Sequence, residues 1–270
     1  FCDDLIRTNV LTAYMGLIKQ IDDLIGRLMT FLDERGLTDD TMIVFTSDHG
    51  DYLGDHWMGE KELFHDASSR VPLIVVDPSP EADATRGLRS EALAEASEVV
   101  PTILEFFGGT EVPHIIEGRA LQPILHAKAD TVRAVAVSEY DYSMRDVRRR
   151  LGVEVRDARL PMLCDGRWKY IFAEGFRPML YDLNTDPDEL TDLGGDPAFA
   201  EESAQMEQRF FEWTRRLSQR TTKSDTWIAE RDATLGEAKA GILIGYRNEA
   251  ELREVFAEAE TQNKADPQAS

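Results

Sequence analysis

The sequence has only two cysteines, no long hydrophobic run and an excess of acidic residues over basic ones. Cys2 and Cys164 lie far apart, which argues against a disulfide-stabilised secreted fold. No apolar stretch approaches the ~20 residues that a membrane-spanning helix needs. A net charge of −21, from 30 basic and 51 acidic side chains, argues against binding to nucleic acid or to an anionic membrane. We expect a cytoplasmic globular protein, and the residues leave a periplasmic or secreted location open.

The most informative part of the chain is residues 46–61, which follow the β-branched and aromatic run at 42–45. That run predicts a buried strand. Asp48 and His49 then place a carboxylate beside an imidazole at the carboxyl end of the strand, which is half of a divalent-metal site. Lys61 adds a cation that could hold an anionic oxygen. Together these residues predict hydrolysis of a phosphate-type or sulfate-type ester.

Each of these residues also has a plainer interpretation. Asp48 could cap the following helix, and His49 could be a core histidine whose hydrogen bonds are satisfied. His56 and His65, within one loop of Lys61, could be supporting or surface histidines. Ionisable residues concentrated after a hydrophobic strand are nevertheless costly for structure and common at active sites, which favours a functional role.

Hydrophobic periodicity gives the expected elements along the chain. It predicts a long first helix with apolar residues from Tyr14 to Leu32, ending near Gly36. Further helices are predicted at about 96–107 and 197–218, and strands at 42–45, 71–76, 134–140, 160–164, 168–173 and 179–183. The near-continuous apolar character of the first strands favours a parallel sheet covered on both faces. Asp165-Gly166 predicts a hairpin turn between two later strands.

The segment from Asp48 to Lys61 resembles the second metal-binding motif of the sulfatases and phosphonate monoester hydrolases, in the alkaline phosphatase superfamily. The likeness covers roughly residues 5–218 and is specific as a set. Further segments match that family in the order of the chain: 69–75, 99–108, 118–125, 169–171, 180–183 and 186–189.

The resemblance implies an α/β fold with a mainly parallel central sheet flanked by helices, similar to part of alkaline phosphatase. In this interpretation residues 1–127 form the C-terminal part of the α/β catalytic core. Residues 128–220 form a small antiparallel sheet packed by a helix, and residues 221–270 form an arm and a tail. Because such an arm often packs on another subunit, we expect either a homo-oligomer or an arm that wraps its own chain.

The family's nucleophile is missing from this sequence. In the family it is a cysteine or serine in a Cys/Ser-x-Pro-x-Arg motif, oxidised to formylglycine, and neither Cys2, Cys164 nor any serine fits. The resemblance therefore implies the C-terminal portion of a longer metal-dependent hydrolase, inactive alone, with the formylglycine upstream. Its substrates would be sulfate esters or phosphonate and phosphate mono- and diesters. Two alternatives stay open: a non-catalytic remnant that binds or regulates, and a metal-dependent phosphomutase of the same superfamily.

The resemblance also implies roles for the candidate residues. Asp48 and His49 would hold one divalent ion together with upstream carboxylates. Lys61 would bind an oxygen of a small anionic ester, with His65 as a second substrate contact. Lys61 and His56 are the expected catalytic residues, and either His56 or His65 would help to protonate the leaving group.

The Asp-His pair indicates which metal to expect and which branch of the family the sequence resembles. We expect Mn²⁺ or Ca²⁺, and the imidazole ligand favours Mn²⁺ or another transition ion over Ca²⁺, which prefers oxygen ligands. Many sulfatases carry Asp-Asn at this point. The Asp-His form and the tail at 242–246 favour the phosphonate and phosphodiester branch.

One cluster of arginines is locally basic, although the chain as a whole is acidic. It could attract an anionic substrate or an acidic neighbouring subunit. We interpret it as a solvated loop with local ion pairs, because exposed pairs of this kind are common and contribute little. Its members are Arg145, Arg148, Arg149, Arg150, Arg156 and Arg159.

Overall fold

The computed structural model describes residues 4–110 and 112–216, together with 226, 227 and 230. The chain divides into two compact units, residues 1–219 and 220–270, and nearly all described residues belong to the first. The segment at 242–246 and the predicted C-terminal arm and tail lie outside the described residues. The predicted boundary near residue 127 stays a prediction. Among the described helices, none combines the length and the apolar character needed to cross a bilayer.

The helices begin with one long element and continue as short ones. The first ends where Gly36 adopts a φ of 64° and the N–H of Leu37 donates to the carbonyl of Leu32 at 2.9 Å, as predicted from the glycine. In chain order the α-helices are α1 (Asp4–Glu34), α2 (Asp66–Ser69), α3 (Val99–Phe106), α4 (Gln122–Leu125), α5 (Asp146–Leu151) and α6 (Ala200–Arg216).

The strands form two separate sheets. In the first sheet, Val44 of β1 lies opposite Val75 of β2 in an antiparallel pair. The second sheet has the order β3-β4-β5-β6, so that each strand pairs with its neighbour in sequence. The strands are β1 (Ile43–Thr46), β2 (Leu73–Val76), β3 (Ala136–Asp141), β4 (Arg159–Cys164), β5 (Trp168–Ile171) and β6 (Met179–Asp182).

The expectation of a mainly parallel sheet is wrong for the described residues, because every strand pair in them is antiparallel. Apolar character on both faces of a strand carries no information about the direction of the neighbouring strand. The predicted burial of the first strand is also not seen, since β1 is only half-buried and Ile74 of β2 is 55% exposed. The long loop between β1 and β2 returns the chain beside β1 in the opposite direction.

The predicted small antiparallel sheet with a packing helix is confirmed. The turn at Asp165-Gly166 joins β4 to β5, where Gly166 has a φ of 95° and the carboxylate of Asp165 accepts from the N–H of Trp168 at 2.8 Å. One face of the sheet packs on α6 through Met206 and Phe210. The buried cluster on this face comprises Leu163, Trp168, Tyr170, Leu180, Met206 and Phe210.

The opposite face of the same sheet is covered by the loop that precedes α2. Alternate residues of a strand point to opposite faces, so Met162 and Ile171 face away from α6. Phe64 packs there against Met162, Cys164, Ile171 and Tyr181. This insertion fixes the end of the loop that follows β1, which is the segment that carries the candidate site residues.

Candidate functional site

The site begins in the turn directly after β1. The hydroxyl of Ser47 donates to the carbonyl of His49 at 2.8 Å, and the N–H of His49 donates to Oδ1 of Asp48 at 3.0 Å. These two bonds close a compact turn from which both predicted metal ligands project. The position after the end of the strand is the one expected from the sequence.

Gly50 completes this turn for a reason that the sequence did not reveal. The residue has no positive φ, and its role is to permit a close approach. A Cβ atom at this position would lie 2.0 Å from the carbonyl oxygen of Ala67 in α2. The N–H of Gly50 donates to the carbonyl of Ser68 at 2.7 Å. The absence of a side chain therefore lets the turn lie against α2.

The side chains of Asp48 and His49 lie close together. Oδ2 of Asp48 is 3.4 Å from Nε2 of His49, and the Asp48 side chain is 84% exposed. Nδ1 of His49 lies 2.7 Å from the carbonyl oxygen of Gly50. Since a carbonyl can only accept, Nδ1 carries a proton, and in the neutral ring Nε2 keeps the lone pair. Burial acts to raise the pKa of Asp48, but the N–H and the imidazole of His49 outweigh it and lower that pKa.

This geometry fits a shared cation. Two ligand atoms each about 2.1 Å from one ion, at an angle of about 110°, are about 3.4 Å apart. A backbone acceptor on the second ring nitrogen is also the usual arrangement for a metal-binding histidine. Within residues 4–110 and 112–216 and the three described positions beyond them, no group of three or more His, Cys, Asp or Glu residues could hold an ion. An ion held by Asp48 and His49 would therefore need further ligands beyond these two residues.

The loop after this turn has an unusual backbone. Non-glycine residues at positive φ are uncommon and cost on the order of 1–3 kcal/mol each, and they concentrate at active sites and ligand clamps. Gly54, with a φ of 106°, lies in the same loop. The positive-φ residues of this loop other than glycine are Leu53, His56, Trp57, Glu60 and Leu63. Sequence reasoning missed this feature, because none of these residue types indicates a left-handed conformation.

Lys61 lies on this loop with its side chain exposed. Its backbone carbonyl accepts a hydrogen bond from the hydroxyl of Ser68 at 2.6 Å. In the part of the chain that the structure describes, no carboxylate pairs with the Lys61 ammonium. The residue is thus held at its backbone, while its charged end has no carboxylate partner there.

Ser68 joins the two halves of the predicted site. Its carbonyl accepts from Gly50, beside the Asp48–His49 pair, and its hydroxyl donates to the backbone of Lys61. The residue is almost completely buried. Sequence reasoning did not single it out, since a serine within the run Ala67-Ser68-Ser69 carries no motif of its own.

The two predicted histidines contact each other. The rings of His56 and His65 stack with centroids 3.8 Å apart and planes 20° apart. Nδ1 of His65 shares a hydrogen bond of 2.8 Å with the hydroxyl of Tyr52, which is completely buried. Burial, reinforced by the nearby His56 and Lys169, lowers the pKa of His65 to about 4. Burial likewise raises the pKa of Tyr52 to about 12, so both rings are uncharged at neutral pH.

The arginine cluster lies partly against the same loop. Arg145 forms an ion pair with Glu62, the residue after Lys61, and its Nε donates to the hydroxyl of Tyr140 at 3.2 Å. Arg149 pairs with Asp146 within α5. The predicted local ion pair of Asp157 is present with Arg156 at 3.6 Å. The cluster is therefore a short helix and its flanks, with one contact to the site loop.

Comparison with known proteins identifies relatives over most of the described part of the chain. The sequence model of the Sulfatase family matches residues 3–109. The multifunctional alkaline phosphatase superfamily protein PehA of Trinickia caryophylli is 37% identical over 215 residues, which cover 77% of this chain and 41% of that protein. Arylsulfatase K of Xenopus laevis is 31% identical over 191 residues, which cover 69% of this chain and 34% of that protein.

Solved structures give the same result. The phosphonate monoester hydrolase of Agrobacterium radiobacter superimposes with a TM-score of 0.69 at 31% identity, over 75% of this chain and 40% of that one. The phosphonate monoester hydrolase of Silicibacter pomeroyi gives a TM-score of 0.68 at 32% identity, over 77% and 41%. The chain spans about two fifths of the length of these two hydrolases.

Proposed function

Since this chain belongs to the sulfatase family, we propose that it supplies the metal-binding pair and the substrate-binding lysine of a metal-dependent ester hydrolase. The substrates would be sulfate esters or phosphonate and phosphate esters. The observation that carries the proposal is the turn after β1, where Oδ2 of Asp48 and the free Nε2 of His49 lie 3.4 Å apart. The loop that follows this turn carries the exposed ammonium of Lys61.

Asp48 and His49 would hold one divalent ion, with further ligands from outside the described residues. A mixed oxygen and nitrogen set favours Mn²⁺ or another transition ion, and Ca²⁺ is the alternative. An ion bound there supplies positive charge that polarises the ester and lowers the pKa of a nucleophile. The hydrogen bond from Nδ1 of His49 to Gly50 fixes the ring, so that Nε2 would be the nitrogen that binds the ion.

Lys61 would bind a negatively charged oxygen of the ester. Its backbone is held by Ser68 and its ammonium group has no carboxylate partner among the described residues, so the charge is available to a substrate. A charge contact that is in place before the reaction is worth about 3–4 kcal/mol of transition-state stabilisation. An ammonium group has no lone pair, so Lys61 would contact the ester and not the ion.

The histidine pair has a more restricted role in this proposal. A group that protonates the leaving oxygen must carry a proton at the working pH, and His65 with a pKa of about 4 is neutral at pH 7. His65 is also engaged with Tyr52. Of the two, His56 is the candidate proton donor, and His65 supports it by stacking and shapes the substrate side of the loop.

The nucleophile would come from residues outside this 270-residue chain. The sequence contains no Cys/Ser-x-Pro-x-Arg motif, and the aligned relatives are more than twice as long as the matched region. The formylglycine expected in this family would therefore be supplied by the remaining part of the complete protein. The 270-residue chain alone would bind an ion weakly and would not turn over substrate.

The preferred substrate in this proposal is a phosphonate monoester. Support comes from the two phosphonate monoester hydrolases, whose TM-scores are 0.69 and 0.68. Both exceed the 0.58 of a protein solved in complex with its substrate D-glucosamine-2-N,6-O-disulfate. Sulfate esters remain within the proposal, because arylsulfatase K is also a relative at 31% identity.

The test uses the complete protein that contains this chain, with an aryl phosphonate monoester and an aryl sulfate as substrates. We expect turnover that is lost with a chelator and restored by Mn²⁺. Asp48→Ala and His49→Ala should lower metal content and turnover together, with partial recovery for His49→Ala at excess Mn²⁺. Asp40→Ala removes an exposed carboxylate ahead of β1 and is the matched control.

Metal content that is unchanged in both Asp48→Ala and His49→Ala would refute the assigned ligands. A separate measurement addresses the nucleophile. Hydrolysis by the purified 270-residue chain, abolished by Asp48→Ala, would show that the reaction needs no residue outside it and that the assignment of an external nucleophile is wrong.

A further inference from the structure

Three charged side chains meet beneath the site loop: Lys169 and Glu189 are buried, and the side chain of Asp66 is 30% exposed. Lys169 on β5 is only 1% exposed, and Glu189 is 3% exposed. The ammonium of Lys169 lies 2.6 Å from Oδ1 of Asp66 and 2.5 Å from Oε1 of Glu189. It also donates to the carbonyl oxygen of Phe64 at 2.9 Å. The ammonium therefore donates hydrogen bonds to Phe64 and Asp66, and Oε1 of Glu189 lies beside it as the oppositely charged partner of an ion pair.

The cluster connects two parts of the chain that are far apart in sequence. Phe64 and Asp66 end the site loop and begin α2, whereas Lys169 and Glu189 belong to the C-terminal sheet and the loop after it. Oε2 of Glu189 accepts a further hydrogen bond of 2.6 Å from the N–H of Asp66. Glu189 has a φ of 52°, so its backbone adopts an unfavourable conformation to place this carboxylate.

Stability alone does not explain these charges. Burying an ion pair costs several kcal/mol per ion in desolvation, and apolar residues of the same volume often stabilise a protein as well or better. Ion pairs do, however, require a defined geometry, since each N–H must meet its oxygen. Lys169 contacts the two residues, Phe64 and Asp66, that set where the site loop enters α2.

The position of α2 is transmitted to the candidate site by Ser68. The N–H of Ser68 donates to the carbonyl of His65 at 2.8 Å, between the two residues that Lys169 holds. Ser68 in turn contacts Gly50 through its carbonyl and Lys61 through its hydroxyl. A displacement of residues 64–66 would therefore move both the metal-binding turn and the substrate-binding lysine.

We propose that Lys169 and Glu189 are positioning residues for the candidate site, which act by fixing residues 64–66 and, through Ser68, the backbone of Gly50 and Lys61. Their effect on turnover rests on the proposed function, whereas their effect on the loop does not. The C-terminal sheet is on this view part of the machinery of the site, although its residues need not touch the substrate.

The test compares Lys169→Met with Arg133→Met in the complete protein. Arg133 is a matched control, because its buried guanidinium pairs with Glu95 and the fully buried Glu98 away from the site loop. Both variants should lower the midpoint of thermal unfolding. Only Lys169→Met should increase amide hydrogen exchange in peptides covering 47–52 and 58–69, by at least about tenfold, since a loop without its anchor opens locally.

Kinetics on the same variants separate positioning from stability. Lys169→Met should lower kcat by at least about tenfold at saturating Mn²⁺, as expected when groups lose their alignment. Arg133→Met, measured where it is folded, should keep the wild-type kcat. Should Lys169→Met fail to fold, Lys169→Met/Glu189→Gln removes both buried charges and leaves an amide to accept from Asp66, and the same two readouts are expected of it.

The outcomes are distinguishable. Unchanged exchange in 47–52 and 58–69 would overturn the proposal whatever the kinetics show. Faster exchange with an unaltered kcat would also overturn it. In that case Lys169 would anchor the loop, but the anchor would have no effect on catalysis at the site. Absence of any hydrolysis by the unmutated complete protein would reject the proposed function instead, while the exchange measurement would still decide whether Lys169 and Glu189 hold the loop.

Discussion

The four-stranded sheet and the loop that carries the candidate site residues are built on different principles. In the sheet, side chains alternate between two buried faces, and hydrogen bonds run between neighbouring strands in sequence. The loop from 47 to 65 has short turns, five non-glycine residues at positive φ and exposed charged groups. Two contacts set its conformation. Ser68 of α2 forms hydrogen bonds with the loop, and Phe64 packs against the four-stranded sheet. The rigid sheet thus supports a strained segment that could not hold its shape alone.

A second contrast concerns apolar side chains. Leu163 and Leu180 of the four-stranded sheet are completely buried. The apolar side of α1 is instead half exposed in the described structure, with Leu17, Ile21 and Leu28 each near 50%. A contiguous exposed apolar face of this kind is unusual for a soluble domain. The buried side chains of the sheet should therefore contribute more to stability than the half-exposed side chains of α1.

The largest expected effect concerns the buried core of the four-stranded sheet. Leu180→Ala should lower the free energy of unfolding by about 2–5 kcal/mol, because it removes a buried side chain of β6 from the cluster that includes Met206 and Phe210 of α6 and leaves a cavity. Leu28→Ala, at a 51% exposed position on α1, should change it by less than about 0.5 kcal/mol. Denaturant unfolding of the two variants makes the comparison. Equal losses would show that the apolar face of α1 is buried in solution.

The next effect tests the loop. In the complete protein, Lys61→Ala should reduce turnover by about 10²–10³ and leave the bound metal unchanged, since it removes one charge contact to the ester. Arg149→Ala should leave both quantities unaltered, because Arg149 pairs with Asp146 on the surface of α5. Steady-state kinetics with metal analysis provide the measurement. Loss of the ion from Lys61→Ala would contradict the division of roles between Lys61 and the Asp48–His49 pair.

A smaller effect tests why the turn after β1 needs glycine. Gly50→Ala should destabilise the protein by about 1–3 kcal/mol and weaken Mn²⁺ binding, because its Cβ would lie 2.0 Å from the backbone of Ala67. Gly26→Ala is the matched control, in the interior of α1 with nothing within 4 Å, and should stabilise by about 0.5–1 kcal/mol. Chemical unfolding and metal titration follow both. A neutral Gly50→Ala would mean that α2 does not approach the turn closely.

The regular elements were largely predictable from the sequence. Apolar spacing predicted α1 and α6, and the Asp165-Gly166 pair predicted the turn between β4 and β5. The family resemblance, which rests on a set of motifs, was confirmed by the comparisons. These features follow from local periodicity and turn chemistry, which neighbouring residues determine. Strand direction does not, and the predicted parallel pairing is absent from the described residues, whose strand pairs are antiparallel.

The candidate site was predictable in its residue types and not in its construction. Asp48 and His49 were singled out because these ionisable residues follow a run whose composition predicts a buried strand. The sequence did not reveal that Ser68 joins Gly50 to Lys61, or that Tyr52 engages His65, because these contacts depend on the long-range fold. The buried role of Lys169 was equally hidden, since its anchor Phe64 is 105 positions away.

The smallest expected effect concerns His65, which contacts both the site loop and the four-stranded sheet. Its imidazole stacks on His56 and packs edge-on against Tyr181 of β6, and its charge environment includes Lys169 and Asp66. Burial lowers the pKa of His65 to about 4, against an ordinary value of 6.5. Between these two pH values the unfolded chain binds more protons at this residue than the folded one does. The free energy of unfolding should therefore fall as the pH falls from about 6.5 to about 4.

This contribution is complete above about pH 6.5 and disappears through the folded-state pKa. Its size should be about 1–2 kcal/mol, below the full conversion of the shift because the ring is partly accessible to water. His65→Asn keeps a polar atom near Tyr52 but cannot titrate, so its stability should lack this share of the pH dependence. Unfolding of both proteins at intervals from about pH 4 to about pH 7 measures the difference. Parallel curves would show that His65 is not buried against the sheet, and that the loop and the sheet are less closely joined than the stacking of these rings implies.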